Sequence, residues 1–273
     1  MMEIPDLFKN MMYAKFKWPR GLSLAILLAT GATSVVFSSD AAGDGLSSSQ
    51  ILQKVLENYA SLASYSDEGK VVVIMGGTTN SSDFTIRLAR MNLYRIEWQQ
   101  NSASSSTKNA GPQAVWSSGA GDHLEIGFGQ QYQCSREIAL AEASIYSDGA
   151  AVDIPRIFFN MQWEDQLADL VLGENQQTDE KVEGKDCYVF TGESQGRTKT
   201  LWIGKQDFLI HQVRIILSAE AIKAMSSKWT PSLMLDVHGF TSIEIHTNIV
   251  VNRKFCRSDF VPSFPSFPSV DSE

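Results

Sequence analysis

Apolar positions along the chain keep a helical rhythm first and then, over most of its length, a strand rhythm. Ile51, Leu52, Val55, Leu56, Tyr59 and Leu62 share one broad face of a helix that Ser47-Ser48-Ser49 can cap and that ends near Ser64. From Gly69 to Met75 the chain is rich in Val and Ile, as a buried strand would be, and Gly76-Gly77 ends it. Phe84, Ile86 and Leu88 alternate with polar residues, Arg87 among them. Tyr94, Ile96 and Trp98 then alternate with Arg95, Glu97 and Gln99. Successive strand side chains point to opposite faces, so these segments each offer one apolar and one polar side.

A Ser-rich polar loop from Gln100 to Pro112 is long enough to act as a lid. Ala114 to Ser118, the turn Gly119-Ala120-Gly121-Asp122, and then Leu124, Ile126 and Phe128 read as a hairpin. Ser135 opens a helical stretch through Ile145, and Ile154 to Leu172 reads as one or two further helices. After Gly173 strands return, at about Lys181–Val182, Cys187–Gly192, Thr198–Ile203 and Leu209–Leu217. Ala219 to Lys228 is helical in pattern, and Leu233 to Val251 supplies one or two last strands. The repeated Phe-Pro and Ser from Val261 onward cannot continue a sheet interior and predict an extended, polyproline-like tail.

This order predicts a mainly β (α+β) fold, a closed or half-closed antiparallel sheet with an apolar inner face. It forms one domain over residues 46–260, with a helical insertion at about 135–172 and a tail at 261–273. The segment before it has a different character. Lys15, Lys17 and Arg20 precede an apolar run from Gly21 to Phe37, which ends in Ser38-Ser39-Asp40-Ala41-Ala42. A basic start, an apolar middle and small residues at the end make a secretory leader, expected within residues 1–41. The run is short and diluted with Gly, Ser and Thr, whereas a bilayer span needs about twenty apolar residues. A cleaved leader and a periplasmic mature protein are therefore expected in preference to an uncleaved inner-membrane anchor.

The formal charge of −8 over 273 residues, with no Lys/Arg run, argues against nucleic acid as a partner. Cys134, Cys187 and Cys256 lie far apart without metal-ligand spacing. Three unpaired thiols are the plain expectation, with one disulfide as the alternative. Gly192-Glu193-Ser194-Gln195-Gly196 has the spacing of a serine nucleophile elbow, but that motif needs a strand-to-helix turn and here it joins two strands. His238 and His246, if on one unbroken strand, would be roughly 26 Å apart and could not share a metal. His123 stands alone in a turn, and Glu164, Asp165 and Asp169 read as a solvated helix face. Neither an enzyme nor a cofactor- or metal-bearing protein is expected.

Several strings, in their order, carry a resemblance. They are Ile51 to Val55 with Tyr65 to Gly69, Ala89-Arg90-Met91-Asn92-Leu93-Tyr94, Val115 to Gly119, Gly184 to Val189, Leu201 to Ile210, and Asn248 to Asn252. The chain resembles the LolA/LolB-like superfamily, specifically its predicted periplasmic, outer-membrane lipoprotein-sorting-protein-like branch. The second string is similar to the Lys-Arg-Pro-Asn-Leu-Phe string of the family's lipoprotein carriers, with Met91 in the place of Pro. The resemblance implies an incomplete antiparallel barrel closed by helices over an apolar cavity. It also implies lipid or acylated lipoprotein as a partner, passed between membrane-associated donor and acceptor proteins. In this reading Arg90 latches a helical lid, and Tyr94, Ile96, Trp98, Leu124, Ile126 and Phe128 are the candidates to line the cavity. The alternative is an envelope interaction or regulatory domain with a filled core and no small-molecule cargo.

Overall fold

Ser47 starts the first helix by accepting from the Gln50 backbone N–H, while Gln50 Oε1 accepts from the Ser47 N–H at 2.7 Å. This reciprocal cap satisfies donors that the first helical turn leaves free. The computed structural model describes residues 45–101, 113–125, 131–147, 153–161, 176–194, 196–222 and 239–262. Helix α1 (Ser48–Ser61) buries Ile51, Leu52, Val55 and Tyr59, the apolar face read from the sequence.

The strands are β1 (Ser64–Met75), β2 (Thr78–Ala89), β3 (Leu93–Gln100), β4 (Gln113–Ser117), β5 (Asp122–Glu125) and β6 (Gln131–Cys134). Helices α2 (Arg136–Tyr146) and α3 (Asp153–Phe158) intervene. Strands β7 (Gln176–Val182), β8 (Lys185–Ser194), β9 (Arg197–Gly204), β10 (Ile210–Leu217) and β11 (Phe240–Val251) complete the element order before a 3-10 turn at Arg257–Phe260. They form one 11-stranded sheet in the order β6-β5-β4-β3-β2-β1-β11-β10-β9-β8-β7, antiparallel throughout. Pairing of β1 with β11 joins two meanders, and β6 and β7 form the edges of a sheet that does not close into a barrel.

One apolar cluster joins the inner face of the sheet to the helices. It includes Phe84, Ile86, Leu88, Ile96 and Trp98 from the strands, with Leu140 of α2 and Ile154, Ile157 and Phe158 of α3. A smaller cluster of Val182, Cys187, Val189 and Trp202, with Ile245 against it, lies on the other side of the second meander. Alternation decides this split: Leu201 and Ile203 join the large cluster and Trp202 the small one.

The structure lengthens most strands by a few residues and adds β6, whose Gln131-Tyr132-Gln133 is too polar for a hydrophobic pattern to reveal. His123 lies on β5 rather than in a turn, stacked on Trp116 with ring centroids 5.2 Å apart. The serine-elbow spacing spans the β8–β9 hairpin, with Gln195 outside the described residues. Cys134, Cys187 and Cys256 are free thiols. The leader segment, the Ser-rich loop at 102–112, the latter part of the helical insertion at 162–175, His238 and the tail from 263 lie outside the described residues.

Candidate functional site

Tyr94, Ile96 and Trp98 occupy alternate positions of β3 and are fully or almost fully buried, and Leu124 of β5 joins them in the main cluster. The structure thus brings these four candidates together on the inner face. Ile126 and Phe128 lie outside the described residues. Trp98 Nε1 donates to Gln113 Oε1 at 3.0 Å, which satisfies the indole where a bare N–H would be costly. Tyr94 meets Phe159 edge-on at 6.1 Å, just past the end of α3.

Arg90 sits in the turn after β2, and its guanidinium binds helix ends. Nε donates to Leu62 O at 2.8 Å, Nη2 to Tyr59 O and Ala60 O at 2.6 Å each, and Nη1 to Phe158 O at 2.6 Å. The guanidinium carbon also lies 4.2 Å from the centre of the Phe158 ring. A helix leaves its last carbonyls without N–H partners, and a cation is favoured there. One side chain therefore closes the C-terminal ends of both α1 and α3. Its neighbours Met91 and Asn92 have φ of 64° and 66°. Proline cannot reach that region, because its ring fixes φ near −65°. The turn as it stands therefore excludes proline at position 91.

The second meander places charge on the same inner face. His246, Glu244 and Ser242 of β11 stand opposite Gly69, Val71 and Val73 of β1, so they share the side on which Val71 and Val73 join the core. Ile245 instead packs on the outer cluster. The irregularity between Ser66 and Glu68 places Asp67 beside His246, whose Nδ1 lies 2.6 Å from Asp67 Oδ2. That oxygen also accepts from Tyr65 Oη at 2.6 Å. Glu244 Oε1 is 3.3 Å from His246 Nε2, though without hydrogen-bond alignment. Burial alone would lower the imidazole pKa, but the charge and hydrogen bond of Asp67, helped by Glu244, raise it to about 10. Phe84 lies over Gly69, edge-on to His246 at 5.4 Å; a Cβ on Gly69 would stand 2.2 Å from the Phe84 ring.

Lys199 of β9 reaches the first residue of α3, with Nζ 2.8 Å from Asp153 Oδ2 and the side chains 1% and 9% exposed. Burial pushes the Asp153 carboxyl up, yet Lys199, then Arg197 and Arg156, outweigh it and hold the pKa below the usual carboxylate value. The sequence reading missed this pair and the Asp67–His246 pair. A signal was present, since Lys199 falls in step with Leu201 and Ile203, and Asp67 in step with Tyr65 and Val71. Among the described residues no group of His, Cys, Asp and Glu is arranged to hold a metal ion.

No family model matches the chain, and no curated protein does. Solved structures similar to it include the Pseudomonas aeruginosa MucA/MucB complex, at 13% identity and TM-score 0.39, covering 79% of this chain and 61% of that one. The chain thus spans about three-fifths of the length of that structure. A LolA superfamily protein from Nitrosomonas europaea is similar at 11% identity and TM-score 0.34, over 80% of this chain and 99% of its own. LprF from Mycobacterium bovis is similar at 13% identity and TM-score 0.39, over 74% and 92% respectively.

Proposed function

We propose that this protein is a non-catalytic carrier or binding protein of the cell envelope, which holds a lipid-like or lipoprotein acyl chain between its curved sheet and its helices. Export to the periplasm by the leader at 1–41 is part of this reading, as are membrane-associated partners that load and unload it. Arg90 supports it most. One rotatable side chain fastens the ends of α1 and α3 by hydrogen bonds that can be released together. Its release would uncover the face carrying Tyr94, Ile96, Trp98 and Leu124. Each methylene of a guest moved there from water contributes roughly 0.8 kcal/mol, so a long chain binds firmly with no polar contact.

The second reading is an envelope interaction domain with a filled core. The near-complete burial of Tyr94, Ile96 and Trp98 beneath the helices favours it. Native mass spectrometry of protein purified without detergent separates the two. Carriage predicts an adduct with the mass of an acyl lipid, displaced by a fluorescent acyl probe. Repeated adduct-free spectra with no probe binding would overturn it.

A further inference from the structure

One cross-strand row on the inner face of the first meander is polar where the next is apolar. Tyr94 pairs with Ser117, Ser117 with Asp122 and Asp122 with Cys134, so four side chains stand side by side across β3, β4, β5 and β6. Two residues further along the strands, Ile86, Ile96, Val115 and Leu124 form a row that lies wholly in the main cluster. The polar row is at the rim where the β2–β3 turn carries Arg90 and Asn92. Arg136, which opens α2, joins it there. Its Nε is 4.0 Å from Asp122 Oδ1, and its Nη1 donates to Asn92 Oδ1 at 3.0 Å. Its guanidinium carbon lies 5.1 Å from the centre of the same Phe159 ring that meets Tyr94 edge-on. Three buried atoms of this group, Tyr94 Oη, Arg136 Nε and Asp122 Oδ1, have no hydrogen-bond partner among the described residues. Tyr94 is wholly buried, and burial first, then the Asp122 carboxylate, push its pKa up, so the phenol keeps its proton. Asp122 is thus near Oη without being aligned to accept from it. Burial, then Asp122 and Glu142, likewise raise the Cys134 thiol to about 11, which leaves the end of the row neutral.

A buried donor or acceptor left unpaired is costly, so three gathered in one row mark a place suited to a further polar atom. Their chemistry defines which one. Tyr94 and Arg136 each offer a hydrogen, and Asp122 offers a lone pair. A hydroxyl accepts two hydrogens and donates one, which serves all three. Water would have a second hydrogen left over, and an ether oxygen would leave Asp122 unserved. A carboxylate would also meet the like charge of Asp122. Arg136 and Asp122 already balance each other, so the row calls for no charged head. We propose that Tyr94, Arg136 and Asp122 take the free hydroxyl of an amphiphile with a long apolar chain and an uncharged head. This rests on the carrier reading and adds to it the class of guest. The chain would run inward over Ile96, Val115 and Leu124. The head would sit at the rim, where release of α3 by Arg90 draws Phe159 away from Tyr94.

Displacement of bound methyl cis-parinarate from the full chain by tetradecanol, by tetradecyl methyl ether and by myristate tests this, because the three share a chain and differ at the head. The wild type is expected to take the alcohol about tenfold tighter than the ether or the acid. Adding 1-monomyristoylglycerol to the series then decides whether a glyceride or a simple alcohol supplies the hydroxyl. Tyr94→Phe removes a phenol oxygen that bonds no described residue, so the free variant should melt with the wild type and yet lose most of the preference for the alcohol. A phenol that served only the fold would give the opposite pair of results, a lower melting temperature with the preference intact. Should the variant not fold, the comparison of alcohol with ether in the wild type still decides. Equal displacement by the two, tighter displacement by myristate, or a preference that survives in Tyr94→Phe would overturn the hydroxyl site while leaving the carrier standing. Failure of the parinarate probe to bind, with no ligand of the series raising the melting temperature, would overturn both.

Discussion

The two meanders of the sheet share one alternation and one apolar cluster, but they differ in the polar residues set into it. Along β2 and β3 the residues turned toward the helices are Phe84, Ile86, Leu88, Tyr94, Ile96 and Trp98, apolar or aromatic, with the small Ser82 buried in step with them. The second meander also turns Tyr188, Phe190, Leu201, Ile203 and Val213 inward, but it sets polar side chains among them, Ser242, Glu244 and His246 of β11 and Lys199 of β9. The first face is held by area removed from water, which is non-directional and tolerates sliding. The second adds to such area paired charges, which demand particular partners and lose most when only one partner is removed. The helices therefore pack on apolar residues of both meanders, and each meander adds a polar tie to α3, Arg90 at its last carbonyl and Lys199 at Asp153.

The sharpest way to break this comparison is to compare single and double substitutions in the two halves. Trp98→Ala should destabilise the protein by about 3–5 kcal/mol, because it removes the largest fully buried side chain of β3 and leaves a cavity. Lys199→Ala should cost a similar amount, about 3–5 kcal/mol, by removing the ammonium paired with the buried Asp153 carboxylate. Lys199→Met/Asp153→Leu should recover most of that loss, since well-packed apolar residues commonly replace a buried pair without penalty. Truncating a neighbour of Trp98 offers no such recovery. Urea denaturation of these variants checks each figure. A double variant as unstable as Lys199→Ala would erase the distinction between the halves.

The inward apolar residues were legible in the sequence and the inward polar ones were not, for a physical reason. In β2 and β3 the apolar residues are the inward ones, so period-2 alternation points the right way. In β11 the apolar Ile243 and Ile245 point outward and the polar residues inward. A rule that sends apolar residues to the core therefore inverts the strand. Only pairing with β1, residues that lie far away in sequence, fixes the orientation. Arg90 was identified through the resemblance, and its partners, carbonyls of α1 and α3, carry no side-chain signature. Strand β6 was invisible because four residues with Gln131 and Gln133 on one face and only Tyr132 and Cys134 on the other are too short and polar a run to show a hydrophobic period.

Arg90→Leu should cost about 2 kcal/mol, since charge-assisted bonds to several helix-end carbonyls are lost while part of the packing on Phe158 is kept. On the carrier reading it should also strengthen binding of an acyl probe, because opening becomes easier. Thermal melts and probe titrations read the two effects separately.

A pH series probes the other half. His246 has a folded-state pKa raised from 6.5 to about 10, so its imidazolium contributes fully below about pH 6.5, and the contribution is lost as pH rises through about 10. Melting temperature should therefore fall from pH 7 to pH 10 in the wild type, and fall less in His246→Gln. Parallel curves would show that the imidazole is not held charged by Asp67. The smallest effect belongs to the start of α2. Ser135→Ala, which removes the side-chain cap on the Ile138 N–H, should cost about 1 kcal/mol in a denaturation series.

Whether α1 and α3 are a movable cover or part of a solid core is most directly read by native-state hydrogen exchange, amide by amide. A cover held by Arg90 predicts that the amides of α1 and α3 exchange through local opening, well before those of β1 and β2, and faster still in Arg90→Leu. Exchange of both helices only at the rate of global unfolding, unchanged by Arg90→Leu, would contradict it.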